Sequence, residues 1–595
     1  MSFASRLWQL KASGIHFCQT SHNFKIWTLP LLFAGLFVLV QLPFIGLPEI
    51  AGSSEAREVH VARIVFESGD WVAPLRNGIV PSKPPLFHWI VALLGHITGA
   101  VTPFVARFVS LLAAATVIAF TTRLCASLLA TAPAAIGEHR WVPMLLAIVV
   151  LTTSGGFLQL STDARVDMLY CAFVTIAWVV CVVGLLETQL IQPWRWNIFF
   201  LSCAAAVLTK GPLGLVLPSL LLWTALFATS GMRQAWIECL RPRLGWAFFF
   251  VIVVTWYHLA YQKMGTSFVE KQVFFENLQR FTGGEYINSE PFWFYFPSFL
   301  GSAVPWSFAF IAASISWLAS KRRSPVFSAF AAGRLILIYL FWVGFFLFSL
   351  SSGKRHAYLV PLFPCVAVSV ALWGQAFVLG QGDRGLWWLQ HLLRSIRHLF
   401  FFAAVLFVLG LELAPLWARS SPQAQLAAEW VSSEKGALLR SGLLAVALLF
   451  AAPFLASSFR RCLCLWIGCL VFIGACFALG LGLKGEFKGF HYAAAEAGSI
   501  IPSESRFVAV RTLRDEFFDP FLFYIGRAAE HQRKEAISVE AGTYLLYKRA
   551  DLVAVLERLA SFGLKLEQKA DFNLNSDALK GLTARSYELG LVIPY

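Results

Sequence analysis

Thirteen apolar runs set the limits on what this chain can fold into. They lie at about 27–46, 104–124, 141–156, 168–186, 196–209, 213–229, 244–261, 292–318, 334–351, 357–380, 398–416, 440–457 and 462–483 of 595 residues. A helix needs about 20 apolar residues to cross hydrocarbon, and most of these runs approach that length. With 58% of residues hydrophobic and 14% charged, the chain reads as an all-α polytopic membrane protein and not as a soluble domain. The run 85–98 is shorter and closely bracketed, so it reads as an interfacial helix.

A formal charge of +15 would suit nucleic acid in a soluble protein. Here it falls on the loops, and no nucleic-acid partner is expected. With the N-terminus in the cytoplasm, the inside segments carry Arg123 and Arg140, Arg195, Arg233 and Arg243, Lys321 to Arg323, Arg384 and Arg394, and Arg460 and Arg461. That asymmetry follows the positive-inside rule. An odd span count then places the C-terminus outside. Three parts result: a cytoplasmic leader at 1–26, a transmembrane domain at 27–483 and a periplasmic α/β domain at 484–595. In the last, 506–511 and 543–549 look like strands, while 551–562 and 528–536 look helical. None of the eleven cysteines lies in an outside segment, so no structural disulfide is expected.

The first outside loop is the most charged. Residues 54–85 hold Glu55, Arg57, Glu58, Arg63, Glu67, Asp70, Arg76 and Lys83. Within it, 54–68 spaces its valines and Ile64 at helical intervals, predicting an amphipathic helix along the interface. Further ionisable residues fall on the same side: Asp163, Arg165, Asp167, Lys210, Glu276, Arg280, Lys354, Arg355 and His356, with Tyr358 beside them. Any one alone is more often a solvated loop charge. Their convergence on one face is harder to dismiss, because ionisable groups near a bilayer are costly. Cations suit a phosphate or pyrophosphate, carboxylates suit a general base or sugar hydroxyls, and an interfacial helix suits a lipid-borne substrate. Together they favour group transfer from a lipid phosphate outside the cytoplasm. No phosphate-binding loop for ATP is present, which argues against an ATP-driven pump.

The segment SEAREVHVARIVFESGDWVAPLRNGIVPSKPPLFHW resembles the first loop of the 4-amino-4-deoxy-L-arabinose lipid A transferase family, relatives of the protein O-mannosyltransferases. ARVDMLY (164–170), LTKGPLGLVLP (208–218), ENLQRF (276–281), PFWFYFP (291–297) and SSGKRHAYLVPLFP (351–364) follow in family order. The resemblance implies a C-type glycosyltransferase fold of about thirteen spans with interfacial helices in the first periplasmic loop. It also implies a polyprenyl-phosphate-linked sugar donor and transfer to a lipid (lipid A-like), glycan or protein acceptor at the periplasmic face of a bacterial inner membrane.

On that resemblance, Lys83 and Arg280 bind the donor phosphate, with Lys210 and Lys354 as helpers. Asp167 and Glu55 are the catalytic carboxylates, and Arg57, Tyr358 and Asp163 contact substrate. Asp167, at the mouth of a span, is expected to be desolvated and so suited to base work. Three positions depart from the family: Ser54 replaces an Asp, Ser82 a Glu and Asn277 a His. The last two are positions where family members hold a metal, and Ser and Asn are poor ligands, so no metal or other cofactor is expected. The missing Asp leaves open a non-catalytic polyprenyl-lipid binder or transporter on the same fold.

Overall fold

The computed structural model describes residues 23–380 except 51, 77–78, 131–140, 189, 241–242, 284–288 and 320–330. It also describes 458–595 except 489, 512–518, 527–528, 534–535 and 575–584, with scattered positions between 402 and 437. The expected leader at 1–26, apart from its last few residues, and nearly all of the expected spans at 398–416 and 440–457 lie outside the described residues.

Eleven described helices lead from the N-terminal span to the middle of the bundle: α1 (Asn23–Ile45), α2 (Ser53–Ser68), α3 (Leu86–Thr98), α4 (Pro103–Ala130), α5 (Trp141–Thr152), α6 (Gly155–Thr162), α7 (Val166–Thr188), α8 (Pro193–Lys210), α9 (Leu213–Ser230), α10 (Met232–Leu240) and α11 (Leu244–Met264). Six described helices are long and apolar enough to cross a membrane, or eight if each bent pair is one span. The protein is therefore a multi-pass membrane protein, but thirteen spans are not reached among the described residues. The run 141–156 is the first half of one bent pair: α5 and α6 meet at 69°. The run 292–318 also breaks, into Phe292–Ser302 and Trp306–Ser316 at 111°. Apolar length alone does not reveal a bend, because both limbs are hydrophobic.

The helix expected over 54–68 is present as α2, but its setting differs from a helix lying on lipid. Glu55, Ala56, Arg57, Glu58, Val59, His60, Val61, Ala62 and Val65 are all buried. Glu55, Arg57 and Glu58 are thus enclosed by protein, while Glu67 near the C-terminal end stays exposed, and the alternation read as an interfacial stripe is a helix packed on several sides. Gly69, at φ 67°, ends it by donating its N–H to the Val65 carbonyl, a left-handed cap that glycine adopts without strain. The stretch 266–282 is also helical, and its central part, Val269–Gln279, winds as a π-helix. Gln272 and Glu276 are buried on one side of it, while Val273, Phe274, Phe275, Leu278 and Phe281 are exposed.

Residues 507–594 form a five-stranded sheet in the order β2-β1-β3-β5-β4, with β1 (Phe507–Arg511), β2 (Glu530–Arg533), β3 (Tyr544–Lys548), β4 (Leu564–Leu574) and β5 (Arg585–Pro594). β1 runs parallel to β2 and β3, whereas β5 is antiparallel to β3 and β4. Side chains alternate as strand geometry requires: Phe507 and Ala509 pack with Phe490, Ala497 and Phe521, while Val508 and Val510 pack with Val555 and Leu559 of helix Leu552–Ala560. The helix expected within 528–536 is instead β2. Its polar residues favour no strand by themselves; parallel pairing with β1 supplies the hydrogen bonds.

Candidate functional site

Helix ends build the site. Pro84 and Pro85 stop helical winding at Lys83 and lead into α3. The turn Gly211–Pro212 joins α8 to α9. Gly211 sits at φ 97°, and α9 packs so closely on α8 that a Cβ on Gly214 would lie 2.4 Å from Ala206 backbone. This tight reversal leaves Lys210 at the helix mouth. α6 ends at Asp163 in extended backbone, and Asp167 stands in the first turn of α7, where a carboxylate complements the helix dipole.

These ends meet in one cleft with an empty volume of about 290 Å³, part of it open to solvent. Its lining is Arg57, Glu58, Lys83, Arg165, Val166, Asp167, Lys210, Arg280, Arg355 and Tyr358. Six cations thus face two carboxylates. Asp167 receives Lys210 Nζ at 2.6 Å and Arg165 Nη2 at 2.8 Å. Lys210 also lies 4.3 Å from the Tyr358 ring centre and 4.9 Å from that of Tyr170. On the opposite wall, Glu276 binds Lys83 at 3.0 Å and Arg280 at 3.1 Å, and Arg280 donates to the Tyr358 hydroxyl at 3.3 Å. Gln272, one turn before Glu276, donates to the Pro81 carbonyl at 2.5 Å, fastening 266–282 to the segment that carries Lys83.

Neighbouring cations set the ionisation of the carboxylates here. Burial alone would raise the Glu276 carboxyl, but Lys83 and Arg280 outweigh it and bring it to about 2. Burial would likewise raise Glu58, yet the hydrogen bond from His88 at 2.9 Å and the charge of Arg57 also lower it to about 2. Lys83 is pushed down by its own burial, against the pull of Glu276. Both carboxylates are therefore ionised at neutral pH.

Of the residues singled out by sequence, Asp167, Lys83, Arg280, Lys210, Arg57 and Tyr358 line the cleft. Asp167 is buried as expected, but it sits between two cations and not in an apolar setting. Glu55, Lys354 and Asp163 are absent from the lining. Glu55 is held by Arg107, with Nε–Oε1 at 2.7 Å and Nη2–Oε2 at 3.1 Å, and accepts the Ala164 N–H at 3.0 Å. It braces the link before Asp167 and does not face the cleft. Lys354 turns its ammonium to the carbonyls of Glu290, at 2.8 Å, and Ser351. Its neighbour Arg355 takes the place in the wall. Sequence reasoning named Glu58 and Arg355 among the outer charges without giving them a role, and did not single out His88 and Arg107. A buried Arg at the start of a span, Arg107, was the one visible signal, because such a charge needs a carboxylate partner.

The two positions at which the resemblance implies metal ligands carry Ser82 and Asn277. Asn277 donates its amide to the Gln272 carbonyl and packs against Gly211. Among the described residues no group of three or more His, Cys, Asp or Glu side chains is placed to hold an ion. A serine hydroxyl and an asparagine amide are weak ligands for a divalent ion.

The polytopic bundle whose helix mouths frame this cleft has the C-type glycosyltransferase fold. The particular likeness is to ArnT from Cupriavidus metallidurans. The structure of that protein bound to undecaprenyl phosphate matches at a TM-score of 0.65, with 16% identity, covering 96% of this chain and 98% of that one. Its apo form matches at 0.64 with 17% identity, over 94% and 97% of the two chains. In sequence, the chain is 25% identical over 349 residues to the undecaprenyl phosphate-alpha-4-amino-4-deoxy-L-arabinose arabinosyl transferase 2 of Proteus mirabilis, covering 58% of this chain and 59% of that protein. It is 28% identical over 376 residues to the arabinosyl transferase of Pseudomonas paraeruginosa, covering 60% and 61%. The chain thus spans less than two thirds of the length of the curated relatives it matches. No protein-family profile matches it.

Proposed function

We propose that this protein is an integral membrane glycosyltransferase that moves a sugar from a polyprenyl-phosphate donor to a lipid, glycan or protein acceptor. The observation that carries the reading is the cleft itself, where six cations and two carboxylates line a solvent-open space among helix mouths. An excess of fixed cations in a partly dry site suits a phosphate, above all one that gains charge as it leaves.

In this mechanism Lys83, Arg280 and Lys210 hold the donor phosphate, with Arg57, Arg165 and Arg355 adding to the field. The acceptor oxygen attacks the anomeric carbon, the bond from that carbon to the phosphate oxygen breaks, and polyprenyl phosphate departs with the electron pair. Asp167 receives the acceptor proton, while Arg165 and Lys210 fix its orientation. No metal takes part. The protein works in a bacterial inner membrane, with its N-terminus in the cytoplasm and residues 484–595 in the periplasm.

The test is sugar transfer from a radiolabelled undecaprenyl-phosphate sugar in proteoliposomes. Release or transfer of label is expected from the wild type. Binding of the donor without turnover would sink the enzymatic reading. A reporter fused after Lys488 should be active only as a periplasmic type, and a cytoplasmic signal there would overturn the orientation.

A further inference from the structure

The sheet domain touches the membrane bundle at the one helix that brings Arg57 and Glu58 to the cleft. Helix Asp519–Ile525 lies against α2. Arg63 of α2 donates to the Phe523 carbonyl at 2.5 Å, and its guanidinium stands 4.2 Å from the Phe523 ring centre. Phe523 is 2% exposed and belongs to the core of the bundle. Two further contacts hold the strand of chain leading into α2. The Ile50 N–H donates to the Tyr524 hydroxyl at 2.6 Å, and Glu49 pairs with His491 at 2.6 Å.

Arg63 and Glu58 are five residues apart, which sets them roughly 140° around the helix from one another. The sheet domain therefore grips α2 from behind while the opposite side faces the cleft. The same entry segment is tied to the Asp167 side. Arg107 donates to the carbonyls of Ile45, Pro48 and Glu49 and binds Glu55, which in turn holds the Ala164 N–H.

We propose that the C-terminal domain is a working part of the cleft: through Phe523, Tyr524 and His491 it sets where Arg57 and Glu58 stand, with Arg63 as the positioning residue. This rests on reading the cleft as the donor-phosphate site. A hydrogen bond to a charged group, once lost, changes an equilibrium by about tenfold or more.

The experiment uses the full chain in nanodiscs, comparing Arg63→Ala, Arg63→Lys and Tyr524→Phe with the wild type. Arg506→Ala, which breaks an exposed pair with Glu530 within the sheet domain, is the control. Two quantities are read on folded protein: amide hydrogen exchange over 53–68, and binding of undecaprenyl phosphate. Arg63→Ala is expected to speed exchange in that segment and to weaken binding, each by about tenfold. Arg63→Lys should recover part of both, Tyr524→Phe should show a smaller effect of the same sign, and Arg506→Ala should change neither. Unchanged exchange in 53–68 overturns the proposal. So does faster exchange with unchanged binding, since the domain would then steady α2 without shaping the cleft. If Arg63→Ala does not fold, Arg63→Lys and Tyr524→Phe decide by the same two readings. If the wild type does not bind undecaprenyl phosphate, the donor-site reading fails by itself, and exchange still decides whether the domain holds α2.

Discussion

Replacing Lys83 by Ala removes a cation whose side chain is 9% exposed and 3.0 Å from Glu276. Two unit charges about 4 Å apart interact by about 4 kcal/mol at the effective dielectric of a protein near its surface. A departing phosphate would feel an attraction of that order from Lys83, less what water regains on filling the gap. The loss has a second part. Glu276 is shared between Lys83 and Arg280, so without Lys83 it draws more fully on Arg280 and leaves less of that charge for the ligand. Deleting one fixed donor to developing charge costs about 10²–10³ in rate, and the expected fall for Lys83→Ala lies in that range. The assay is turnover of a labelled undecaprenyl-phosphate sugar in proteoliposomes, corrected for folded yield. Lys263→Ala is the comparison, because that lysine is 51% exposed and its pair with Asp70 is worth about 0–1 kcal/mol. Adding Glu276→Gln to Lys83→Ala should restore part of the rate by releasing Arg280. Equal, small losses from Lys83→Ala and Lys263→Ala would refute the reasoning and leave Lys83 a structural partner of Glu276.

Asp167→Asn should lower turnover by about 10²–10⁴ if the acceptor is a hydroxyl, and less if it is a phosphate that needs no base. Glu55→Gln should act mainly on stability, because Glu55 is the partner of buried Arg107 and breaking such a pair costs about 3–5 kcal/mol; melting in detergent separates the two variants. Glu58 and Glu276 are both depressed from 4.5 to about 2 by folding, so their contribution to stability is present above about 4.5 and lost as pH falls towards 2; Glu276→Gln should flatten that acid limb in a pH series of melting temperatures. Gly214→Ala should sharply reduce folded yield, since its Cβ would stand 2.4 Å from Ala206 and Val207 backbone atoms on α8; a normal yield would show that the two helices can part. Turnover should survive a chelator, and activity lost to chelation and restored by a divalent ion would show that other side chains bind a metal.

The sequence by itself determined the class of molecule. Apolar length and loop charge depend on composition over windows of twenty residues, so the membrane bundle, the charged first loop and the order of the motifs were all legible without coordinates. Much of the cleft was legible too: Lys83, Asp167, Lys210, Arg280 and Tyr358 stood out as ionisable or phenolic groups at the mouths of apolar runs, and all five line it. What the tertiary structure alone decided was the direction in which neighbouring charges point. Glu55 and Glu58 share one helix, yet three residues of rotation and the position of Arg107 turn the first to α4, while His88 and Arg57 hold the second at the cleft. Lys354 and Arg355 are adjacent in the chain, and the carbonyls of Glu290 and Ser351 claim only the first. The bend within 292–318, the strand at Glu530–Arg533 and the burial of α2 have the same origin. Each depends on partners far away in sequence, and local pattern carries no record of which distant carbonyl, strand or carboxylate a residue will meet.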